Sequence, residues 1–157
     1  MKLVLREYIT MLKESGELDD LIPDLLLNMS IVPLSRAQVG VRQFGVDVSG
    51  VGPDPDDGVE KLFLITVKQG DVTRNDWHGS PQAIRPSLDE ICDVYLQNRV
   101  PEEYADLPTK IILCSGGDMN QNVKPNWDGY VDNETEPGEV EFEFWGADKL
   151  ADLLNEY

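Results

Sequence analysis

An aspartate and a lysine on two neighbouring strand-like segments are the residues of this sequence best placed to do chemistry. Asp47 lies in GVDVSG at residues 45–50, and Lys68 lies near the end of LFLITVKQGD at residues 62–71. An ammonium group among Leu, Phe, Ile and Val is costly to bury unless an anionic group meets it. The partner of Lys68 is therefore either a structural carboxylate or a phosphate.

The two segments are predicted to form a β-hairpin with a long loop over residues 41–69. The polar turn-former PDPDDG, residues 53–58, separates them. Alternate residues of a strand share a face, so Thr66 and Lys68 are expected on one face and the apolar Phe63, Ile65 and Val67 on the other. Glycines at 45 and 50 would let another backbone or a ligand approach closely. Asp47 and Lys68 can therefore converge on one site.

Apolar periodicity predicts the helices that flank this hairpin. One helix covers residues 3–13 with an inward stripe at Leu5, Tyr8, Ile9 and Leu12, and a second runs from 18 to 29 with Pro23 in its first turn or at a kink. A third helix runs from about Pro86 to Asn98, and ADKLADLLNEY, residues 147–157, forms a fourth. The helices are expected to cover both faces of a mixed sheet, which makes the chain an α/β protein.

Two further strands follow the hairpin in the sequence. The apolar run KIILCSGG, residues 110–117, is typical of a strand covered on both faces, and VEFEFWG, residues 140–146, alternates like a strand. Residues 118–139 are predicted to be loop, with a short strand around Trp127 to Val131.

The ordered pattern resembles the restriction-endonuclease-like superfamily with the PD-(D/E)xK motif, particularly its Mrr-like branch. That pattern is an amphipathic helix, a strand with G-x-D, a hairpin loop and a strand with (E/Q)-x-K. GVDVSG matches the first half, TVKQ at 66–69 aligns with the second, and the element order agrees from about Glu17 to Leu113. The resemblance implies an α/β/α sandwich with a central mixed β-sheet. It also implies a single domain over residues 1–157, of the kind that often forms the N-terminal effector of a larger defence protein.

The resemblance further implies a metal-dependent nuclease that hydrolyses phosphodiester bonds, with DNA the expected substrate ahead of RNA. Asp47 corresponds to the metal-binding aspartate, and Lys68 to the lysine that orients the attacking water or stabilises charge on the phosphate. Thr66 stands where the family has Glu or Gln; its hydroxyl can accept a hydrogen bond from a metal-bound water but brings no negative charge. The expected ion is Mg²⁺ or Mn²⁺, held by Asp47, the Val67 carbonyl and an acid of the preceding helix. The candidates for this acid are Asp20 and Asp24, with Glu17 less favoured and Asp71 able to compensate.

Three polar residues after the hairpin are the expected nucleic-acid contacts, namely Arg74, Gln82 and Arg85. His78 is either a general base or a solvated loop side chain. The tryptophans at 77, 127 and 145 either stack on bases or belong to the core.

The charge of the chain argues against a strong nucleic-acid binder, because 30 acidic residues face 13 basic ones and the net charge is −17. Most of the excess follows Arg85, where 17 acidic residues face 4 basic ones. DNA affinity would then come from fused domains or from homo-oligomers. Two other functions stay open: a nuclease-fold binding module without catalysis, favoured by Thr66, and an acidic DNA mimic that binds a basic protein.

The compartment is expected to be the cytoplasm. The sequence has no apolar run long enough to span a bilayer, its first residues MKLVLREYIT lack the long apolar region of a signal peptide, and its two cysteines have no metal-ligand spacing.

Overall fold

The computed structural model describes residues 1–12, 17–34, 44–81 and 83–157 of the chain. They form one five-stranded sheet in the order β1-β2-β3-β4-β5. The strands are β1 (Val32–Pro33), β2 (Val48–Pro53), β3 (Glu60–Lys68), β4 (Thr109–Ser115) and β5 (Val140–Trp145). β1, β2 and β3 pair antiparallel, whereas β3, β4 and β5 pair parallel, so the sheet is mixed as predicted.

Six α-helices of five residues or more connect or flank these strands in the described part of the chain. They are α1 (Lys2–Thr10), α2 (Asp19–Asn28), α3 (Arg74–His78), α4 (Ile84–Glu90), α5 (Lys124–Glu134) and α6 (Ala147–Glu156). A wider π-helical turn, Ile91–Tyr95, and the short helix Leu96–Asn98 extend α4, and a 3-10 turn covers Glu102–Tyr104.

Each face of the sheet has its own hydrophobic core. The side chains of Phe63, Ile65 and Val67 pack with α1, α2 and α6, while Leu62 and Leu64 pack with α4 and α5 on the opposite face. β3 is buried on both faces because it is the central strand, and its alternation agrees with the prediction from the sequence. The helices therefore form a layer on each side of the sheet, and the α/β class is confirmed.

The predicted hairpin is present, with Val48 opposite Ile65 and Pro53 opposite Glu60. The two glycines of the first segment are needed for close backbone contacts. A Cβ on Gly45 would lie 2.2 Å from the Ser87 carbonyl oxygen, and a Cβ on Gly50 would lie 3.1 Å from the Val32 carbonyl oxygen. Gly45 also has a φ of +88°, which favours glycine.

Two predictions about the elements were wrong. Residues 124–134 form helix α5, not a loop with a strand at 127–131. Its apolar side chains are too few to give a helical stripe, and it is held by aromatic contacts of Trp127 and Tyr130 with Trp77 and Phe142. Tyr8 was expected to face the core, but it is exposed on the outer side of α1.

No helix in the described ranges combines the length and apolar content that crossing a bilayer requires.

Candidate functional site

Asp47 is held at the start of β2 by the backbone on both sides of it. Phe44 and Gly45 have positive φ values of 52° and 88°, and this turn leads Val46 into the core under α4. The Asp47 N–H then donates to the Ile65 carbonyl oxygen at 2.8 Å, which continues the pairing of β2 with β3. Its half-buried carboxylate therefore lies beside the last residues of β3.

The Asp47 carboxylate contacts the segment that the sequence singled out on β3. Its Oδ2 accepts a hydrogen bond from the Val67 N–H at 2.7 Å and a longer one from the Thr66 hydroxyl at 3.4 Å. Thr66 is buried and Lys68 is half-buried at the end of the strand. Asp47 and the Thr66–Lys68 segment thus lie together, on neighbouring strands.

Burial raises the pKa of Asp47 above its ordinary value. The hydrogen bond from Val67, the positive charge of Lys68 and the Thr66 hydroxyl each oppose this rise, and the negative charge of Asp19 adds to it. Lys68 and Asp19 are therefore both close enough to act on the carboxylate electrostatically. The Asp47 carboxylate is therefore influenced by one basic and one acidic side chain at this end of β3.

The acid of α2 that acts on Asp47 is Asp19, which sequence reasoning did not select. Asp20 and Asp24 instead line a groove between α1 and α2. The sequence did contain a signal, namely the two adjacent acids Asp19 and Asp20. Successive residues of a helix point about 100° apart, so only one of the two can face the sheet. Asp71 binds locally, where its Oδ1 accepts the Asp118 N–H at 2.9 Å.

Two of the three predicted nucleic-acid contacts are exposed. Arg74 begins α3 and is exposed, as is His78 at the end of that helix. The Arg85 guanidinium is also exposed and lies 6.0 Å from the centre of the Tyr130 ring. Gln82 lies outside the described residues. The three tryptophans are buried, so they belong to the core and are not placed to stack on bases.

A second charged centre lies at the opposite end of β3, around two buried lysines that sequence reasoning missed. The Lys61 and Lys110 side chains are 5% and 6% exposed and share Asp54, whose Oδ2 lies 2.9 Å from each ammonium. Lys61 also pairs with Asp57 at 2.7 Å and with Glu141, and Lys110 pairs with Asp56 and Glu143. These contacts satisfy both ammonium groups.

The pKa values in this centre follow from the pairing. Burial would raise the pKa of Asp54, but hydrogen bonds from Lys110 and Lys61 outweigh it and hold the pKa at about 2. Burial would likewise lower the pKa of both lysines, and their carboxylate partners raise it instead. All of these groups are therefore ionised at neutral pH.

The carboxylates of Asp54, Asp57 and Glu141 have oxygen atoms within 4.8 Å of one another, a spacing that could hold a metal ion. In the structure these three carboxylates surround the Lys61 ammonium. The sequence signal for the centre was a lysine directly before each apolar run, KLFLITV and KIILC, with acids alternating in VEFEF. We assign the centre a structural role, because the lysine already supplies the positive charge.

The fold defines the chain as an α/β protein with a five-stranded mixed sheet. Comparison with known proteins finds no protein-family model, no curated protein and no solved structure that matches the chain. Its function has to be inferred from the geometry of its own residues.

Proposed function

We propose that the chain is a metal-dependent nuclease domain that hydrolyses phosphodiester bonds in DNA with Mg²⁺ or Mn²⁺. The observation that carries the proposal is the Asp47 carboxylate, half-buried on the Val67 N–H and within electrostatic reach of Lys68 and Asp19. An acid pair beside a lysine can hold a cation and place positive charge next to a phosphate. Asp47 Oδ2 already accepts two hydrogen bonds, so Oδ1 is the atom that would ligate the ion.

The roles of the neighbouring residues follow from this arrangement. Asp19 supplies the second carboxylate from α2, which offsets the charge that Thr66 lacks. The Val67 carbonyl is a further candidate ligand, and Lys68 positions the attacking water or stabilises the phosphate. When bound, the ion activates that water and balances charge on the leaving oxygen. Arg74 and Arg85, both exposed, contact the nucleic-acid backbone.

Cleavage of supercoiled plasmid DNA with Mn²⁺ tests the proposal. We expect the wild type to nick the plasmid and Lys68→Ala to lose at least about a hundredfold in rate, since a group acting in the transition state contributes on this order. Lys124→Ala is the matched control, because Lys124 is an exposed lysine on α5 that pairs only with Asp128 among the described residues. Equal rates for Lys68→Ala and Lys124→Ala, or no cleavage with any divalent metal, would contradict the proposal.

Mn²⁺ binding by calorimetry distinguishes Asp19 from Asp20 on α2. Asp19→Asn and Asp47→Asn should each weaken binding about tenfold or more, whereas Asp20→Asn should leave it unchanged because Asp20 faces the groove. Binding should also weaken as the pH falls, because a proton competes for Asp47. This loss should begin at a higher pH than for an ordinary aspartate, since the pKa of Asp47 is raised.

A second candidate is a binding module that keeps this fold without catalysis. The observation that favours it is Thr66, a buried neutral side chain next to the Asp47 carboxylate, where a second charge would strengthen metal binding. Such a module would show no Mn²⁺ binding that depends on Asp47, and no cleavage.

A further inference from the structure

Helix α1 and the residues at its two ends carry two apolar stripes, of which one packs against the core in the described part of the chain. Leu5, Ile9 and Leu12 belong to the core shared with α2 and α6. The other stripe follows a spacing of three, four and three residues and is exposed to solvent; it comprises Met1 (80% exposed), Val4 (69%), Tyr8 (52%) and Met11 (74%). This spacing gives the apolar seam by which one helix packs along another.

The exposed stripe leads into a groove between α1 and α2, which we call the α1–α2 groove. It measures about 540 Å³, and its described lining is Tyr8, Met11, Leu12, Glu17, Asp20, Leu21 and Asp24. We call its apolar lining residues (Tyr8, Met11, Leu12 and Leu21) the floor of the groove and its acidic lining residues (Glu17, Asp20 and Asp24) the edge; Tyr8, Met11 and the three acids are exposed. Leu27 is 59% exposed and lies two helical turns after Asp20, so it extends the apolar surface along α2.

The charge of the groove is one-sided. Three of its described lining residues are acidic and none is basic. The two basic residues of α1 are turned towards other partners, since Lys2 pairs with Asp152 and Arg6 with Asp118 and Asp148. An apolar floor with an acidic edge is complementary to a helix that has an apolar stripe flanked by lysine or arginine.

We propose that the α1–α2 groove is a docking site for a basic amphipathic helix of a partner protein. Leucine-type side chains of that helix fill the floor beside Tyr8 and Met11, and its basic side chains pair with Asp20 and Asp24. A second copy of the chain is a poor occupant, because it would place acidic edges together in a molecule of net charge −17. The acidic edge also opposes an anionic lipid surface. This inference is independent of the nuclease proposal.

The test uses three synthetic peptides on the full chain at about 0.15 M salt, where long-range attraction is screened. The first is a helical peptide with leucines at heptad a and d positions and lysines elsewhere on its polar face. The second has the same composition in scrambled order, and the third has glutamate in place of lysine. Fluorescence anisotropy should show binding of the first peptide at least about tenfold tighter than of the other two.

Variants locate the binding surface. Tyr8→Gln and Met11→Gln replace two exposed apolar side chains with glutamine, a residue that favours helices. Together they should weaken binding of the first peptide about tenfold. Asp20→Asn with Asp24→Asn should weaken it and reduce its salt dependence. Val59→Ser is the matched control, because Val59 is a 45% exposed apolar residue outside α1 and α2, and it should leave binding unchanged.

Several results would overturn the proposal. These are equal binding of the ordered and scrambled peptides, equal binding by the wild type and the Tyr8→Gln/Met11→Gln variant, or no binding of the ordered peptide. Sedimentation equilibrium showing a dimer that Met11→Gln dissociates would also overturn it, since the groove would then be an interface between copies.

Discussion

At the scale of single residues, the lysine that sequence analysis singled out is only half-buried, whereas the two lysines it passed over are almost completely buried. Lys68 sits at the carboxyl end of β3 near Asp47, and Lys61 sits at the amino end among carboxylates. A strand rises about 3.3 Å per residue, so the two centres are about 23 Å apart along β3. The structure therefore places two charged centres at opposite ends of one strand, and the one around Lys61 is neutralised by the carboxylates that surround it.

Replacing Asp54 by asparagine should destabilise the chain by about 3 kcal/mol at neutral pH, because two buried ammonium groups lose their shared counter-charge. The free energy of unfolding in urea gives the measurement. Asp56→Asn is the matched control; its side chain is 59% exposed and pairs at 3.1 Å, so a change below about 1 kcal/mol is expected.

The contribution of Asp54 to the free energy of unfolding should depend on pH in a defined direction. The pKa of Asp54 in the folded chain, about 2, lies below its value in the unfolded chain. Its contribution is therefore fully present above about pH 5 and is lost as the pH falls towards 2. The difference in unfolding free energy between wild type and Asp54→Asn should narrow over that range. A difference that stays constant to the lowest pH would show that the Asp54 charge does not stabilise the fold.

At the scale of elements, β3, β4 and the two ends of the chain could be predicted because their apolar patterns are strong. β4 is buried on both faces, as an unbroken apolar run predicts, and α6 buries Leu150 and Leu153. α5 could not be predicted from periodicity, since KPNWDGYVDNE has a glycine inside and few apolar residues. Its stability comes from partners distant in sequence, among them Trp77 and Phe142, which no local pattern reveals.

The contact of Asp47 with Thr66 and Val67 could be predicted for a related reason: a hairpin is a local structure whose pairing can be predicted from its own residues. Asp19 could not be chosen over Asp20, because the choice depends on how α2 rotates against the sheet. The ion pair between Lys61 and Glu141 could not be predicted, because the two residues are 80 positions apart in the sequence. It can be inferred only once β4 is known to pair with β3.

Alanine substitutions at Gly129 and Gly58 form a matched pair that tests whether helix α5 contributes to the stability of the chain. A Cβ at either position would meet no atom within 4 Å, but Gly58 has a φ of +73° whereas Gly129 lies inside the helix. Gly129→Ala should raise the unfolding free energy by about 0.5–1 kcal/mol, because alanine favours the helix and restricts the unfolded chain. Gly58→Ala should lower it, because alanine is strained at positive φ. Urea unfolding monitored by tryptophan fluorescence distinguishes them, and a destabilised Gly129→Ala would argue against α5.

At the scale of the whole molecule, the net charge of −17 is the dominant property. Exposed like charges repel one another in the folded state more than in the expanded unfolded chain, and salt screens them. The buried pairs of Lys61 and Lys110 are screened much less.

Stability should therefore increase with salt. We expect the urea midpoint to rise when NaCl goes from about 0.02 M to about 0.5 M, a range over which the screening length falls several-fold. Replacing the exposed acids Asp132 and Glu134 of α5 by lysine should reduce this increase. A midpoint that falls with salt would mean that surface ion pairs outweigh the repulsion.

The sharing of Asp54 by Lys61 and Lys110 has a further consequence for how the chain avoids misfolding. Lys61 and Lys110 are each the second residue of a strand whose following residues are largely apolar. A strand shifted by one position would turn its lysine towards the hydrocarbon of the opposite core, far from any carboxylate, at a penalty of several kcal/mol. The native register of the three parallel strands is thus one in which both lysines are paired with carboxylates, and these pairs favour it over a register shifted by one residue.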